Sequence, residues 1–245
     1  MDYMFEFVLL IIAATLPAYV LGSINGAIIA SKLFYRKDIR DYGSGNAGFT
    51  NFYRVFGKGG ALLVIFIDVI KTVVPVLFGG WLFAQFMDML PSASFPFGWF
   101  IQESFFGQTL AGFAVMLGHC FPVFYKFRGG KGVMAIGMIA IIIDWRLALI
   151  AWSVFIITAA VSRYISLGAI LGSIAFPVSM VILNIGGRAE LTVIILCALL
   201  VLVRHSQNIV RIAKGQESKV SLKRKKQEEQ EEEKEQEQEQ EDIQE

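Results

Sequence analysis

The sequence predicts an all-α polytopic membrane protein of about seven transmembrane helices, N-terminus outside and C-terminus in the cytoplasm. Three observations carry that expectation. Hydrophobic residues fill 55% of the 245 positions, and mean hydropathy is +0.58, more than a soluble single core accommodates. The apolar residues fall in long runs broken by short polar blocks. Lys and Arg concentrate in four of those blocks, while the alternate breaks carry only Arg146 and Arg188. By the positive-inside rule all four cationic blocks then face the cytoplasm.

Taken in order, residues 4–33 are apolar enough to cross, although Gly22, Ser23, Asn25 and Gly26 interrupt the second half. Small and polar groups at that depth must face other helices or a wet cavity. Asp2 and Glu6 lie at the start of the run and no small-residue cleavage site follows it, so it reads as a retained span. Arg36, Lys37 and Arg40 come next and lead into the first block, 43–58. That block holds four glycines, two carboxamides (Asn46, Asn51), two hydroxyls (Ser44, Thr50) and two cations (Arg54, Lys58). Glycines let backbone N–H groups approach an anion closely, and a helix starting near Thr50 would aim its N-terminus at the same place. The spacing points to a phosphate cradle, the plainer alternative being a polar linker.

A second span covers 61–87 and contains Asp68 and Lys71. Ionisable groups inside a membrane generally pair and face the bundle interior. If one helix ran from Thr50 through Asp68, then Thr50, Asn51, Arg54, Lys58 and Asp68 would share an arc of about 100°. Residues 88–104, with two prolines, an aromatic cluster (Phe95, Phe97, Trp99, Phe100) and no cation, read as an external loop. A short span at 105–117 leads to the second block, 118–132, which carries His119, Lys126, Arg128 and Gly129-Gly130-Lys131-Gly132. The last four residues resemble a nucleotide loop only superficially. Position 125 is Tyr where that loop needs Gly, and position 132 is Gly where it needs Ser or Thr. What remains is a lysine presented by glycines.

Residues 133–143 and 147–161 form two apolar arms, each shorter than the roughly 20 residues of a full crossing. They predict either two short spans or a re-entrant hairpin. Arg163–Ser166 make a small third block. Spans at 167–185 and 191–203 follow, joined at Gly186-Gly187-Arg188. The fourth block, 204–217, contains Arg204, His205, Asn208, Arg211 and Glu217.

Charge divides the chain. Residues 1–215 hold 16 Lys/Arg against 9 Asp/Glu, and 216–245 hold 6 against 12. The basic body suits anionic lipid or anionic substrates, and nothing in the pattern calls for nucleic acid. Residues 1–217 are expected to form one membrane domain. The Lys/Arg then Glu/Gln-rich stretch 218–245 has little to bury and is expected to be a disordered cytoplasmic tail. Cys120 and Cys197 are isolated, and two histidines without a Cys or carboxylate cluster make no metal site. His119 and His205 each open a polar block at the end of a span, and neither has an Asp four residues on, as a His–Asp acyltransfer dyad would. No covalent nucleophile motif appears. The inventory of cations, amides, hydroxyls and glycines binds phosphates and steadies developing negative charge.

The four blocks together resemble the bacterial membrane acyl-phosphate:glycerol-3-phosphate acyltransferases. The likeness rests on Gly43-Ser-Gly-Asn-x-Gly-x-Thr-Asn51-x-x-Arg54-x-x-Gly57-Lys58 with Asp68-x-x-Lys71, and on Gly118-His-x-Phe-Pro122 through Gly129-Gly-Lys-Gly132. It continues in Arg163-Tyr-x-Ser166 and Arg204-His205-x-x-Asn-Ile-x-Arg211-x-x-x-Gly215-x-Glu217. Phe49, Thr72 and Met134 depart from the pattern; Phe49, where a small residue is usual, is expected to crowd the cradle.

The resemblance implies transfer of a fatty acyl group from acyl phosphate to the 1-hydroxyl of glycerol 3-phosphate, in the inner (cytoplasmic) membrane, with no cofactor or metal. Its products are lysophosphatidic acid and phosphate, and an enzyme that generates acyl phosphate is an expected partner. On this reading Lys131, Arg54, Ser166 and His205 stand nearest the reaction. Ser44, Gly45, Asn46, Thr50, Asn51, Lys58, His119, Gly129, Gly130, Asn208 and Arg211 bind substrate, with Asp68, Lys71, Arg163 and Glu217 in support. The glycine-rich block and Lys131 would take the acyl phosphate, and Arg54, Lys58, His205, Asn208 and Arg211 the glycerol 3-phosphate. Two unit charges about 5 Å apart repel by roughly 3 kcal/mol at an effective dielectric near 20, which the cations must offset. A donor phosphate oxygen is the favoured acceptor of the hydroxyl proton, ahead of His119 or His205. The competing reading is a membrane transporter of a phosphorylated metabolite, favoured only by Asp68 and Lys71 inside a span.

Overall fold

The computed structural model describes residues 3–88 and 103–219, all helices and turns. The expected aromatic external loop and the acidic tail lie outside the described residues. Ten helices follow in order: α1 (Tyr3–Gly22), α2 (Gly26–Tyr35), α3 (Phe49–Phe56), α4 (Ala61–Asp88), α5 (Glu103–Cys120), α6 (Val133–Ile143), α7 (Trp145–Ser162), α8 (Ile165–Leu183), α9 (Arg188–Arg204) and α10 (Ser206–Ala213). Five stretches among the described residues are long and apolar enough to cross a membrane: Met4–Tyr35, Ala61–Phe86, Phe105–Tyr125, Trp145–Ser162 and Ile165–Leu183. A sixth arises if α9 and α10, bent by 55° between them, count as one broken span.

The breaks have identifiable causes. The 4–33 run divides after Gly22 because Asn25 caps a new helix, its side chain accepting from Ile28 N at 3.0 Å. The continuous helix expected from Thr50 to Asp68 does not form. α3 stops at Phe56, and a turn through Gly57 (φ +69°) and Gly60 (φ +74°) intervenes before α4. Positive φ at both positions is incompatible with helix, so the proposed polar arc is split between two helices. Of the two central arms, α7 is long enough to cross, and only α6 is short. Its 11 residues rise about 16 Å, roughly half the hydrocarbon thickness of a bilayer. Asp144 makes the turn between them, its carboxylate accepting from Arg146 N at 2.8 Å.

The helices pack mainly as α7 on α8, α4 on α5 and α1 on α5. Close approach depends on small residues. A Cβ at Gly79 would meet the Gly107 carbonyl at 2.7 Å, and one at Gly118 would strike the Tyr19 carbonyl. The main core is built around Val115, Met116, Ile139, Leu147, Phe176 and Ile194. A second cluster, with Ile28, Ile39, Phe52 and Val64, seats α3 against α2 and α4. Phe49 packs at its edge and stacks on Tyr53. The crowding of the cradle expected from Phe49 is not seen.

Candidate active site

All four polar blocks sit at one end of the bundle, and specific contacts knit them together. In the first block Asn51, 2% exposed, is the hub. Its Oδ1 accepts from Ser44 N at 2.8 Å, and its Nδ2 faces the carbonyls of Tyr42 (3.0 Å), Asn46 (3.1 Å) and Ile39 (3.4 Å). The side chain thus gives Ser44 N an acceptor and adds a second donor to carbonyls that already accept from the N–H groups of Tyr42, Gly45 and Gly48. Gly43 adopts φ +59° and lies so close to Asn51 Oδ1 that a Cβ there would collide with it. Ser44, Gly45 and Thr50 remain exposed, and Asn46 is half-buried.

The second block folds back against the first. Gly129 N and Gly130 N donate to the carbonyls of Cys120 (3.2 Å) and His119 (3.0 Å). A Cβ on Gly130 would run into His119 Nε2 and lie 2.8 Å from the Ala47 carbonyl of the glycine-rich block. Asn25 Nδ2 donates to that carbonyl at 3.1 Å. The loop is anchored elsewhere by Tyr19 Oη to Phe121 O (2.9 Å) and Arg40 to Tyr125 O (2.9 Å). Arg40 is itself held by Asp38, whose carboxyl stays at about 2 because the Arg40 guanidinium donates to it.

The fourth block closes over this loop. Arg204 donates from Nε to Gly130 O (3.0 Å) and from Nη2 to Gly129 O (3.1 Å), and its guanidinium covers the Phe121 ring at 5.3 Å. Lys131 Nζ makes a short hydrogen bond to Asn208 Oδ1. Asn208 Nδ2 then donates to Glu217 Oε1 at 2.6 Å, beside Ser166 Oγ of the third block at 2.7 Å, while Arg211 Nε reaches Glu217 Oε2 at 2.8 Å. Partial burial opposes ionisation of Glu217, yet the hydrogen bonds from Arg211, Asn208 and Ser166 outweigh it and hold the carboxyl below its usual range. Desolvation draws Lys131 down to about 8; Glu217 acts against that, while Arg211, Arg204 and Arg54 add to it. Arg54, exposed near the end of α3, has the smallest effect of these charges. His205, 3% exposed, directs Nδ1 at Val201 O (2.8 Å) and lies within the field of Lys131 and Glu217.

Beneath the surface, Lys71 Nζ stands 2.7 Å from Asp68 Oδ1, 2.8 Å from Ile24 O and 2.8 Å from His119 Nδ1. The Asp68 contact is not aligned as a hydrogen bond, so Oδ1 is balanced by charge alone. Thr72 Oγ1 donates to Asp68 O at 2.8 Å, within the same helix.

The structure therefore brings Lys131, Asn208, Arg211, Glu217 and Ser166 into one network, with Arg54 and His205 in its field. Lys58 is exposed on the turn after α3, and Arg163 is the exposed left-handed cap of α7; no contact ties either to the network. Arg204 and Asn25 were missing from the expected site. Arg204 opens the fourth block and Asn25 is a carboxamide inside an apolar run, which were the only signals available. Among the described residues no group of three or more His, Cys, Asp or Glu side chains converges.

A profile described as glycerol-3-phosphate acyltransferase matches residues 12–215. A glycerol-3-phosphate acyltransferase of Staphylococcus carnosus (strain TM300) is 34% identical over 212 residues, covering 86% of this chain and 98% of the relative. One from Staphylococcus aureus (strain Newman) is 33% identical with the same coverage. Among solved structures, PlsY (YgiH), an integral membrane glycerol 3-phosphate acyltransferase, superposes in its glycerol 3-phosphate form with TM-score 0.73 at 29% identity, over 86% of this chain and 96% of that one. The lysophosphatidic acid form of PlsY gives TM-score 0.71 at 28% identity.

Proposed function

Because the chain belongs to the glycerol-3-phosphate acyltransferase family, we propose that it acylates the 1-hydroxyl of glycerol 3-phosphate, taking the acyl group from an acyl phosphate. The hydroxyl oxygen attacks the acyl carbonyl carbon, the bond from that carbon to the phosphate oxygen breaks, and a phosphate oxygen takes the hydroxyl proton. Lysophosphatidic acid and inorganic phosphate leave. An acyl phosphate is an activated mixed anhydride, so the protein needs no covalent nucleophile. Its task is to hold two anions together in line.

The observation that carries this reading is the meeting of Lys131, Asn208, Arg211 and Ser166 around one point, with the glycine-rich block against Gly130. Lys131 and the exposed hydroxyls of Ser44 and Thr50, beside Gly45, receive the donor phosphate. Arg54, Lys58, Asn208, Arg211 and His205 receive glycerol 3-phosphate. A small apolar pocket between α6, α7 and α8 is lined by Val133, Gly137, Trp152, Phe155 and Phe176. The acyl chain lies along this apolar side of the bundle. Seven spans, with α6 a short crossing, the N-terminus outside and the site on the cytoplasmic side of a bacterial inner membrane, fit both this placement and the distribution of cations. Residues 218–245 take no part in the chemistry, and an acyl-phosphate-generating enzyme supplies the donor.

Purified protein in detergent tests this directly when offered glycerol 3-phosphate with acyl phosphate, acyl-CoA or acyl carrier protein in parallel. Product from acyl phosphate alone is expected. Product only from a thioester donor, or none from any donor, overturns the reading.

A further inference from the structure

His119 is 5% exposed and Lys71 is 4% exposed, and each lies well inside the end of the bundle. The Lys71 ammonium is ion-paired with Asp68 Oδ1, donates to Ile24 O and lies at hydrogen-bond distance from His119 Nδ1. The carboxylate stands 2.7 Å from Nζ and the carbonyl 2.8 Å, the surroundings of an ion-paired ammonium. An ammonium carries no lone pair, so His119 Nδ1 must be the acceptor. The imidazole is then the neutral tautomer with its hydrogen on Nε2. That Nε2 edge lies against the Cα of Gly130, where there is no room even for a methyl group. Gly130 is the residue before Lys131, and its N–H is already tied to the His119 carbonyl.

Building on the acyltransferase reading, we propose that Lys71 and His119 are positioning residues: Lys71 locks one imidazole tautomer, and that ring sets the path of the Gly129–Lys131 loop, and so the place of the Lys131 ammonium. His119 does not accept the hydroxyl proton, because its one lone pair is committed to Lys71. His205 shows the opposite arrangement. Val201 O can only accept, so His205 carries its hydrogen on Nδ1.

The chain has only two histidines, so a protein labelled with ¹⁵N-histidine yields two rings, assigned by comparison with His119→Gln. In detergent micelles between pH 6 and 8.5, one ring should carry its proton on Nε2 (His119) and the other on Nδ1 (His205). The His119 signals should move little when inorganic phosphate or glycerol 3-phosphate is added. In Lys71→Met the fixed tautomer should be lost and kcat should fall at least about tenfold, while KM for glycerol 3-phosphate stays within about threefold. A His119 ring protonated on Nδ1 or on both nitrogens overturns the proposal, and so does a His119 Nε2 signal that responds to phosphate like a direct ligand. An unchanged tautomer and rate in Lys71→Met overturns it as well. If Lys71→Met fails to fold, the wild-type spectrum still decides. The tautomers are read without any acyl donor, so this outcome is separate from the success or failure of the acyltransferase assay.

Discussion

Ser166 and Glu217 lie 51 residues apart in the chain, yet the Ser166 hydroxyl donates to the Glu217 carboxylate at 2.7 Å. The same carboxylate receives Asn208 and Arg211 and so fixes the segment after α10 against the start of α8. It is the acid among the groups proposed to bind phosphate, and it ties three of them together.

Glu217→Gln should disturb that arrangement without changing volume, because the amide nitrogen cannot accept from Arg211. Hydrogen bonds to charged groups contribute about 1.5–3 kcal/mol, so KM for glycerol 3-phosphate is expected to rise about 10- to 100-fold. Steady-state kinetics with glycerol 3-phosphate as the varied substrate checks this. An unchanged KM would mean that Glu217 holds the fold and leaves the site alone.

Lys131 makes the pH dependence specific. Its charged form is the one that would neutralise a donor phosphate on the proposed function, and burial lowers its pKa to about 8. A lowered lysine pKa means that the cation is lost as pH rises, so kcat/KM should be level below about pH 7 and fall through pH 8. Profiles from pH 6.5 to 9.5 report on the free enzyme. A plateau running to pH 9.5 would contradict the assignment.

Asn51 bears on stability more than on chemistry. Replacing it with Ala leaves Ser44 N without its acceptor and takes one of two donors from the carbonyls of Tyr42 and Asn46, which keep the N–H groups of Gly45 and Gly48. Each lost hydrogen bond costs about 0.5–1.5 kcal/mol, less wherever water enters. The melting temperature in detergent should drop by several degrees, with the residual folded fraction also impaired in donor binding. A variant with native melting temperature would show that the loop is held by other contacts.

Trp152 lines the apolar pocket between α6, α7 and α8, the proposed groove for the acyl chain, with Nε1 3.4 Å from Gly137 O and its ring edge-on to Phe155 at 5.6 Å. Trp152→Ala should lengthen the usable groove. The ratio of kcat/KM for an 18-carbon over a 12-carbon acyl phosphate is expected to change at least about fivefold, in keeping with the 1–3 kcal/mol a pocket derives from each methylene. Parallel assays of the two donors measure it, and a constant ratio would remove the groove from the chain path.

Much of the fold was legible because its punctuation is local. Gly132 and Asp144 bracket α6 at the expected residues, and the apolar runs locate the other long helices to within a few positions. The turn at Gly57–Gly60 was hidden, since a helical arc can be drawn through glycines whose φ is not known in advance. The site was legible as an inventory and illegible as a wiring diagram. Asn51 reads as a substrate ligand in sequence, but its partners are backbone carbonyls, which all residues share. Arg204 was passed over for the same reason, as it binds the carbonyls of Gly129 and Gly130. The contacts of Lys131 with Asn208 and of Ser166 with Glu217 span distances that no local pattern encodes.

The central claim is that the Lys131 charge, held in place by the converging blocks, enables transfer between two phosphorylated molecules. The most direct measurement is the turnover of Lys131→Ala in detergent with saturating acyl phosphate and glycerol 3-phosphate, beside a thermal melt to show that it is folded. Removing a preorganised charge at the reacting group should lower kcat at least about 100-fold. A folded Lys131→Ala enzyme turning over at a near-normal rate would contradict the account.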